Sequence, residues 1–320
     1  MYACIDLGSN SFHLLIGEWN NGRIEIVERC SDKVQLGEDV RLSGKITAAA
    51  FDRGVESLRH FKSLMDTYPL ERYWALGTNT FRVTENAQQF IDSTADLGID
   101  ISIISGVQEA VLVYAGVISS LPEDDSRRLV IDIGGGSTEV IVGEQHRRLL
   151  TESLSIGSVA WRDRFFLPEY EASTELERQL ELASSAAKEA FSAAAPGIRK
   201  ANWTEAYASS GTVKMIAAIC EEHGFGDARV SISALRDLQP LVIAATLGQG
   251  DLPGLKEKRR DLLLPGWAIM SGLMEAYGVQ TINFSATALR EGMLDFMVRN
   301  KKTLQVMEES DLPAVSYANS

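Results

Sequence analysis

One short pattern occurs twice in this chain: IDLGSNSF at Ile5–Phe12 and IDIGGGST at Ile131–Thr138, with the two aspartates 132 − 6 = 126 residues apart. A period that long does not suit a solenoid and calls for two domains of like topology with a cleft between them. Each copy sits in an apolar strand, a Gly/Ser turn and a second apolar strand, Ile5–Ile16 and Leu129–Val142. Such a turn lets backbone N–H groups approach phosphate oxygens without hindrance from a β-carbon, and the hydroxyls of Ser9, Ser11, Ser137 and Thr138 are expected to add donors. A carboxylate left unpaired in an apolar strand is costly, so Asp6 and Asp132 are expected at strand ends beside a metal, water or lysine. A single such aspartate would be read as capping its own turn; the recurrence favours a functional role.

The surrounding pattern predicts an α/β chain. Strands are expected at Tyr2–Leu7, Phe12–Trp19 and Ile24–Cys30, with a turn at Asn20–Gly22, then a helix over Thr47–Asp66 and a buried strand at Tyr73–Gly77. A helix at Asn86–Leu97, a strand at Asp100–Ile104 and a helix at Val107–Leu121 precede the acidic linker Pro122–Ser126. Beyond it the meander repeats, followed by a long alanine-rich helix at Glu175–Ala193, a strand at Glu205–Ala208, the helix Val213–Glu222 and a C-terminal helix at Ala288–Val298. The expected domains are 1–121 together with 288–320, and 122–287; 320 residues exceed what one core usually holds.

The net charge of −13 opposes nucleic-acid binding, so an anionic substrate must be held locally by backbone amides, a divalent cation and a few arginines. Three well-separated cysteines, Cys4, Cys30 and Cys220, argue against a disulfide framework and suit a reducing compartment. Neither a leader pattern nor an apolar run of about 18 residues is present, so a cytoplasmic protein without a membrane partner is expected. His13, His60, His146 and His223 share no metal-ligand spacing and no obvious cysteine partner, and are read as structural.

Further candidates come singly. The turn Ser209–Thr212 precedes a helix, so its amides are expected to face an anion, although serine and threonine caps are common. Glu109, in a first helical turn, has the placement of a general base or of a residue stabilising the helix dipole. Arg82 is either a phosphate ligand or a surface arginine. Arg259 and Arg260 lie in a mixed-charge run that reads as a solvated face, whereas Arg290 is the better cationic candidate.

Seven ordered segments carry a resemblance: IDLGSNSFHLLI (5–16), ALGTNTFRVTENAQQFI (75–91), ISGVQEAVLVYAGV (104–117), LVIDIGGGSTEVIVG (129–143), ASSGTVKMI (208–216), LLPGWAIMSG (263–272) and ALREGML (288–294). Together they resemble the exopolyphosphatase/guanosine pentaphosphate phosphohydrolase family, within the superfamily of actin, heat-shock chaperones and sugar kinases. The resemblance implies two actin-like (ribonuclease H-like) domains, each a mixed sheet flanked by helices. It also implies Glu109 as the catalytic glutamate acting on water, Asp132 and Glu139 as ligands of Mg²⁺ or another divalent cation, and Asp6 as a secondary metal partner. Gly8, Ser9, Asn10, Ser11, Gly134, Gly135, Gly136, Ser137, Ser210, Gly211 and Thr212 would bind the phosphate chain, with Arg82 and Arg290 offsetting its charge.

Three departures from the family pattern stand out. Gln108 replaces a second acid seen in many relatives, Ala286–Thr287 stand where an Asp or Gly pair is common, and the chain ends near Ser320 where longer relatives add helical domains. Strong processivity on long polyphosphate is therefore not expected. Release of terminal orthophosphate from polyphosphate is the leading expectation, with removal of the 5′-terminal phosphate of pppGpp next; GTNTFR at 77–82 and Lys214 favour the former. A polyphosphate/ATP-dependent kinase and a non-catalytic polyphosphate or alarmone sensor are the other classes. A homodimer is expected from the resemblance alone.

Overall fold

The computed structural model describes residues 1–20, 23–166, 170 and 172–300. Positions 21 and 22 of the expected turn, and the segment 301–320 assigned from the sequence to the first domain, lie outside the described residues. The chain divides into two compact units: one contains Met1–Leu121 and the segment beginning at Thr287, the other Pro122–Ala286.

In the first unit, β1 (Tyr2–Leu7), β2 (Ser11–Asn20) and β3 (Arg23–Lys33) form an antiparallel meander, followed by α1 (Val40–Ser43) and α2 (Ala48–Met65). Next come β4 (Arg72–Gly77), α3 (Asn79–Val83), α4 (Ala87–Thr94), β5 (Ile101–Ile103) and α5 (Gly106–Ile118), with α12 (Leu289–Asn300) closing the unit. The sheet order is β3-β2-β1-β4-β5, with β4 parallel to β1 and β5 parallel to β4. Central strand β1 is covered on both faces, which explains its nearly continuous apolar sequence. Ile5, Leu7, Phe12 and Leu14 join Leu58, Phe61 and Phe90 in one core. On the other face, the Cys4 thiol donates to the Arg290 carbonyl of α12.

The second unit repeats this plan. Strands β6 (Arg127–Ile133), β7 (Thr138–Glu144) and β8 (Arg147–Leu154) form the meander, followed by α6 (Ser158–Phe165), α7 (Ser173–Ser192) and α8 (Ala195–Lys200). Then come β9 (Glu205–Ser209), α9 (Gly211–Glu222), β10 (Arg229–Ser231), α10 (Ile232–Thr246), α11 (Leu263–Tyr277) and β11 (Thr281–Phe284). The order β10-β11-β9-β6-β7-β8 matches the first sheet, with β10 added antiparallel to β11. The repeat extends to irregularities: the register shifts between Ile16 and Gly17 in one meander and between Val142 and Gly143 in the other. Helix α7 buries Leu176, Leu180, Ala183, Ala187 and Phe191 along one stripe, against an α11 that is apolar almost throughout.

Candidate active site

In the second unit, strand register builds a polar row across four adjacent strands. Ser153 on β8 pairs with Glu139 on β7, Glu139 with Asp132 on β6, and Asp132 with Ser209 on β9. Directly opposed residues project from the same sheet face with β-carbons about 5 Å apart, so the two carboxylates are neighbours. The flanking serines hold them: Ser153 Oγ donates to Glu139 Oε1 at 2.9 Å and Ser209 Oγ to Asp132 Oδ1 at 2.8 Å. Glu139 is fully buried. Two adjoining carboxylates, one of them buried, repel unless a cation or proton intervenes. The donor set is entirely oxygen, the kind hard divalent cations take.

The matching row in the first unit is chemically different. Asp6 pairs with His13 and Leu76, and His13 with Ser31. The carboxylate opposite the aspartate is thus replaced by an imidazole, and the neighbouring serine by leucine.

Both Gly/Ser turns are anchored through their carbonyls. Gln35 N–H donates to Asn10 O and Gly37 N–H to Ser9 O; in the other turn, Ser158 N–H donates to Gly134 O and Val159 N–H to Gly135 O. The amides of Ser9, Asn10, Gly135 and Gly136 have no backbone acceptor among the described residues. Such turns present N–H groups outward, as an anion nest does. Their hydroxyls serve less uniformly than expected. Ser9 Oγ accepts from Thr80 Oγ1 at 2.8 Å, Ser11 Oγ accepts from Asn10 Nδ2, and Ser137 is buried at the turn. Thr138 was expected to add a donor; instead its buried hydroxyl donates to Ile156 O at 2.6 Å, because the side chain points into the core beside β7.

Glu109 lies on α5, whose start is set by a capping box: Ser105 Oγ accepts from Gln108 N–H, and Gln108 Oε1 accepts from Ser105 N–H. Gln108 therefore has a local structural task that a glutamate would perform equally well. Glu109 is 7% exposed, and Arg82 Nη1 donates to its Oε2 at 2.8 Å and to Ile104 O at 2.9 Å. Arg82 Nε and Nη2 have no protein acceptor among the described residues. Arg82 is thus neither a surface arginine nor a lone phosphate ligand, but an arginine anchored to the candidate base.

At Ser209–Thr212 the expectation of free helix amides is corrected for Thr212 and Val213. Ser210, at φ 103°, turns its own hydroxyl back to accept from Thr212 and Val213 N–H. The cap takes two of the donors that an anion would otherwise take, while the Gly211 amide has no backbone acceptor among the described residues. A cation stands there instead: a β-carbon on Gly211 would collide with the Arg259 guanidinium, which burial pushes to a lower pKa against the opposing pull of Asp261. The mixed-charge run read as a solvated face therefore contains one inward residue, Arg259, beside an outward one, Arg260, which bonds Glu257. A 3-10 turn over Glu257–Leu262 separates the two directions, and local charge pattern carries no sign of it. Arg290 is half-buried on α12 within the first unit, its side chain without a hydrogen-bond or ion-pair partner among the described residues.

Known proteins share this sequence and architecture. The chain is 33% identical over 300 residues to a Haemophilus influenzae protein named "Putative exopolyphosphatase", covering 93% of this chain and 91% of that one. It is 34% identical over 303 residues to a guanosine-5′-triphosphate,3′-diphosphate pyrophosphatase of Aeromonas hydrophila, of whose length it spans 60%. A solved exopolyphosphatase from Cytophaga hutchinsonii superposes with a TM-score of 0.82 at 27% identity, over 93% of this chain and 97% of that one. A Ppx/GppA family member from Aquifex aeolicus shares the fold at a TM-score of 0.71, 23% identity and coverage of 94% and 98%. The model of the Ppx/GppA phosphatase family matches residues 15–301, and this chain belongs to that family.

Proposed function

We propose that the chain hydrolyses the terminal phosphoanhydride bond of inorganic polyphosphate, releasing orthophosphate. The observation that carries this reading is the Ser153–Glu139–Asp132–Ser209 row, a carboxylate pair oriented by serines on neighbouring strands. Its donors fit Mg²⁺, which is commonly held by one or two carboxylates with water and substrate phosphate. When bound, the ion supplies charge neutralisation at phosphate oxygens.

The chain's own residues supply the rest. Glu109 takes a proton from the attacking water, and Arg82 holds its carboxylate while directing remaining N–H donors to phosphate. The outward amides of the turns at Gly8–Ser11 and Gly134–Ser137 bind phosphate oxygens, and Arg259 and Arg290 counter the negative charge that the acidic chain would otherwise add. Asp6 faces His13 and Leu76 and is a weaker metal candidate than Asp132. The preference for polyphosphate rests on the near full-length match to the Haemophilus relative; the Aeromonas relative supports pppGpp as the second substrate.

Initial rates of orthophosphate release with Mg²⁺ on short polyphosphate, long polyphosphate and pppGpp test this. Faster release from polyphosphate than from pppGpp is expected. Preference for pppGpp would reverse the substrate order, and no release from any of the three would sink the proposal.

A further inference from the structure

Away from these residues, β3 and α2 of the first unit bring three different metal-binding groups together. Cys30 and Asp32 are two positions apart on β3, an edge strand, so both side chains leave the same face. His60 on α2 lies beside them, its Nδ1 3.3 Å from Asp32 Oδ2. One ligand atom from each residue falls within 4.8 Å of the other two, and this is the sole such group of three found among the described residues. Ser57, one turn before His60, donates to the same Asp32 oxygen at 2.8 Å. The expectation that no histidine has a cysteine partner is therefore corrected for His60. Packing of a helix against a strand creates the pairing, and local spacing cannot show it.

An aspartate–histidine pair on a surface is common, but here a thiol faces the same point. A tetrahedral zinc ion with bonds of about 2.0–2.3 Å separates its ligands by roughly 3.3–3.7 Å, so this triangle closes with side-chain shifts of about 1 Å. Cysteine, histidine and carboxylate together suit a borderline-soft ion, whereas Mg²⁺ prefers oxygen donors like those of the second unit. The His60 side chain is half exposed, which leaves an entry path and room for a water or Ser57 Oγ as fourth ligand.

We propose that Cys30, Asp32 and His60 form a binding site for a divalent cation of the zinc class, separate in chemistry from the Asp132–Glu139 pair. Binding forms a metal–sulfur bond and releases the thiol proton to solvent. The ion ties edge strand β3 to α2 and stabilises the first unit.

Co²⁺ titration of the metal-free full chain in excess Mg²⁺ reads the site directly, since only a thiolate ligand produces near-ultraviolet sulfur-to-cobalt charge-transfer absorption. The expected result is absorption that saturates at one equivalent, is bleached by Zn²⁺, is lost in Cys30→Ser and is weakened in His60→Ala. Zn²⁺ is also expected to raise the melting temperature of the unsubstituted chain and not that of Cys30→Ser. No charge-transfer absorption, or the same absorption in Cys30→Ser, would overturn the proposal.

Discussion

Arg82 Nη1 stands 2.8 Å from Glu109 Oε2, tying the helix after β4 to the helix after β5. The pair is largely buried, so the cost of breaking it depends on which partner is removed. Glu109→Gln keeps the shape and a hydrogen-bond acceptor but removes the base. A fall in kcat of about 10²–10⁴ with little change in KM is expected from steady-state kinetics on polyphosphate. Arg82→Met leaves the carboxylate buried without its cation, and should both raise KM and lower the melting temperature. An unchanged kcat in Glu109→Gln would remove that residue from the chemistry.

The serines of the second unit touch the carboxylates through Ser153 Oγ to Glu139 and Ser209 Oγ to Asp132. Ser209→Ala and Ser153→Ala should each weaken Mg²⁺ activation by roughly 10–100-fold, as loss of an outer-shell partner typically does. Near-normal kcat should return at saturating Mg²⁺. A Mg²⁺ titration of activity checks this; a loss of kcat that added Mg²⁺ cannot restore would instead place the serines on the substrate.

Arg259 and its neighbour provide a matched comparison. Arg259→Met removes the guanidinium packed on Gly211 and should raise KM for polyphosphate, with the effect growing as salt is lowered. Arg260→Met loses a largely exposed pair with Glu257 and a hydrogen bond to Ala245 O, and should leave KM close to unchanged. Equal effects from the two substitutions would contradict the inward placement of Arg259.

Helices α5 and α12 meet at two glycines. A β-carbon on Gly116 would strike the Ala288 carbonyl, and one on Gly292 the Leu112 carbonyl. Gly116→Ala and Gly292→Ala should each destabilise by about 1–3 kcal/mol or more, because the backbones must separate to admit the methyl group. Thermal unfolding measures it. Since α5 carries Glu109, activity should fall as well, and unchanged stability in both variants would mean that the helices do not cross this closely.

Much was legible without coordinates wherever a signal is local. The 126-residue repeat, from Asp6 to Asp132, and the two meanders around it follow from apolar runs punctuated by Gly/Ser turns, and the structure has the same strand order in both units. Helices α2 and α7 were visible because one stripe is apolar and the rest polar. Helix α11 carried no such sign: it is apolar nearly all round, and periodicity cannot distinguish a buried helix from another buried segment. The sequence alone thus determined the repeat and the strand–turn–strand pattern and singled out Asp132 and Glu109 as candidates, with Glu139 added by the family resemblance. Tertiary structure decided their company. Register set Ser153 and Ser209 beside the carboxylates, packing gave Arg82 to Glu109 and turned Arg259 inward, and the α2–β3 contact brought His60 to Cys30. The physical reason is common to all four: each partner comes from a different strand, helix or turn, and only pairing and burial of those elements fix which side chains meet.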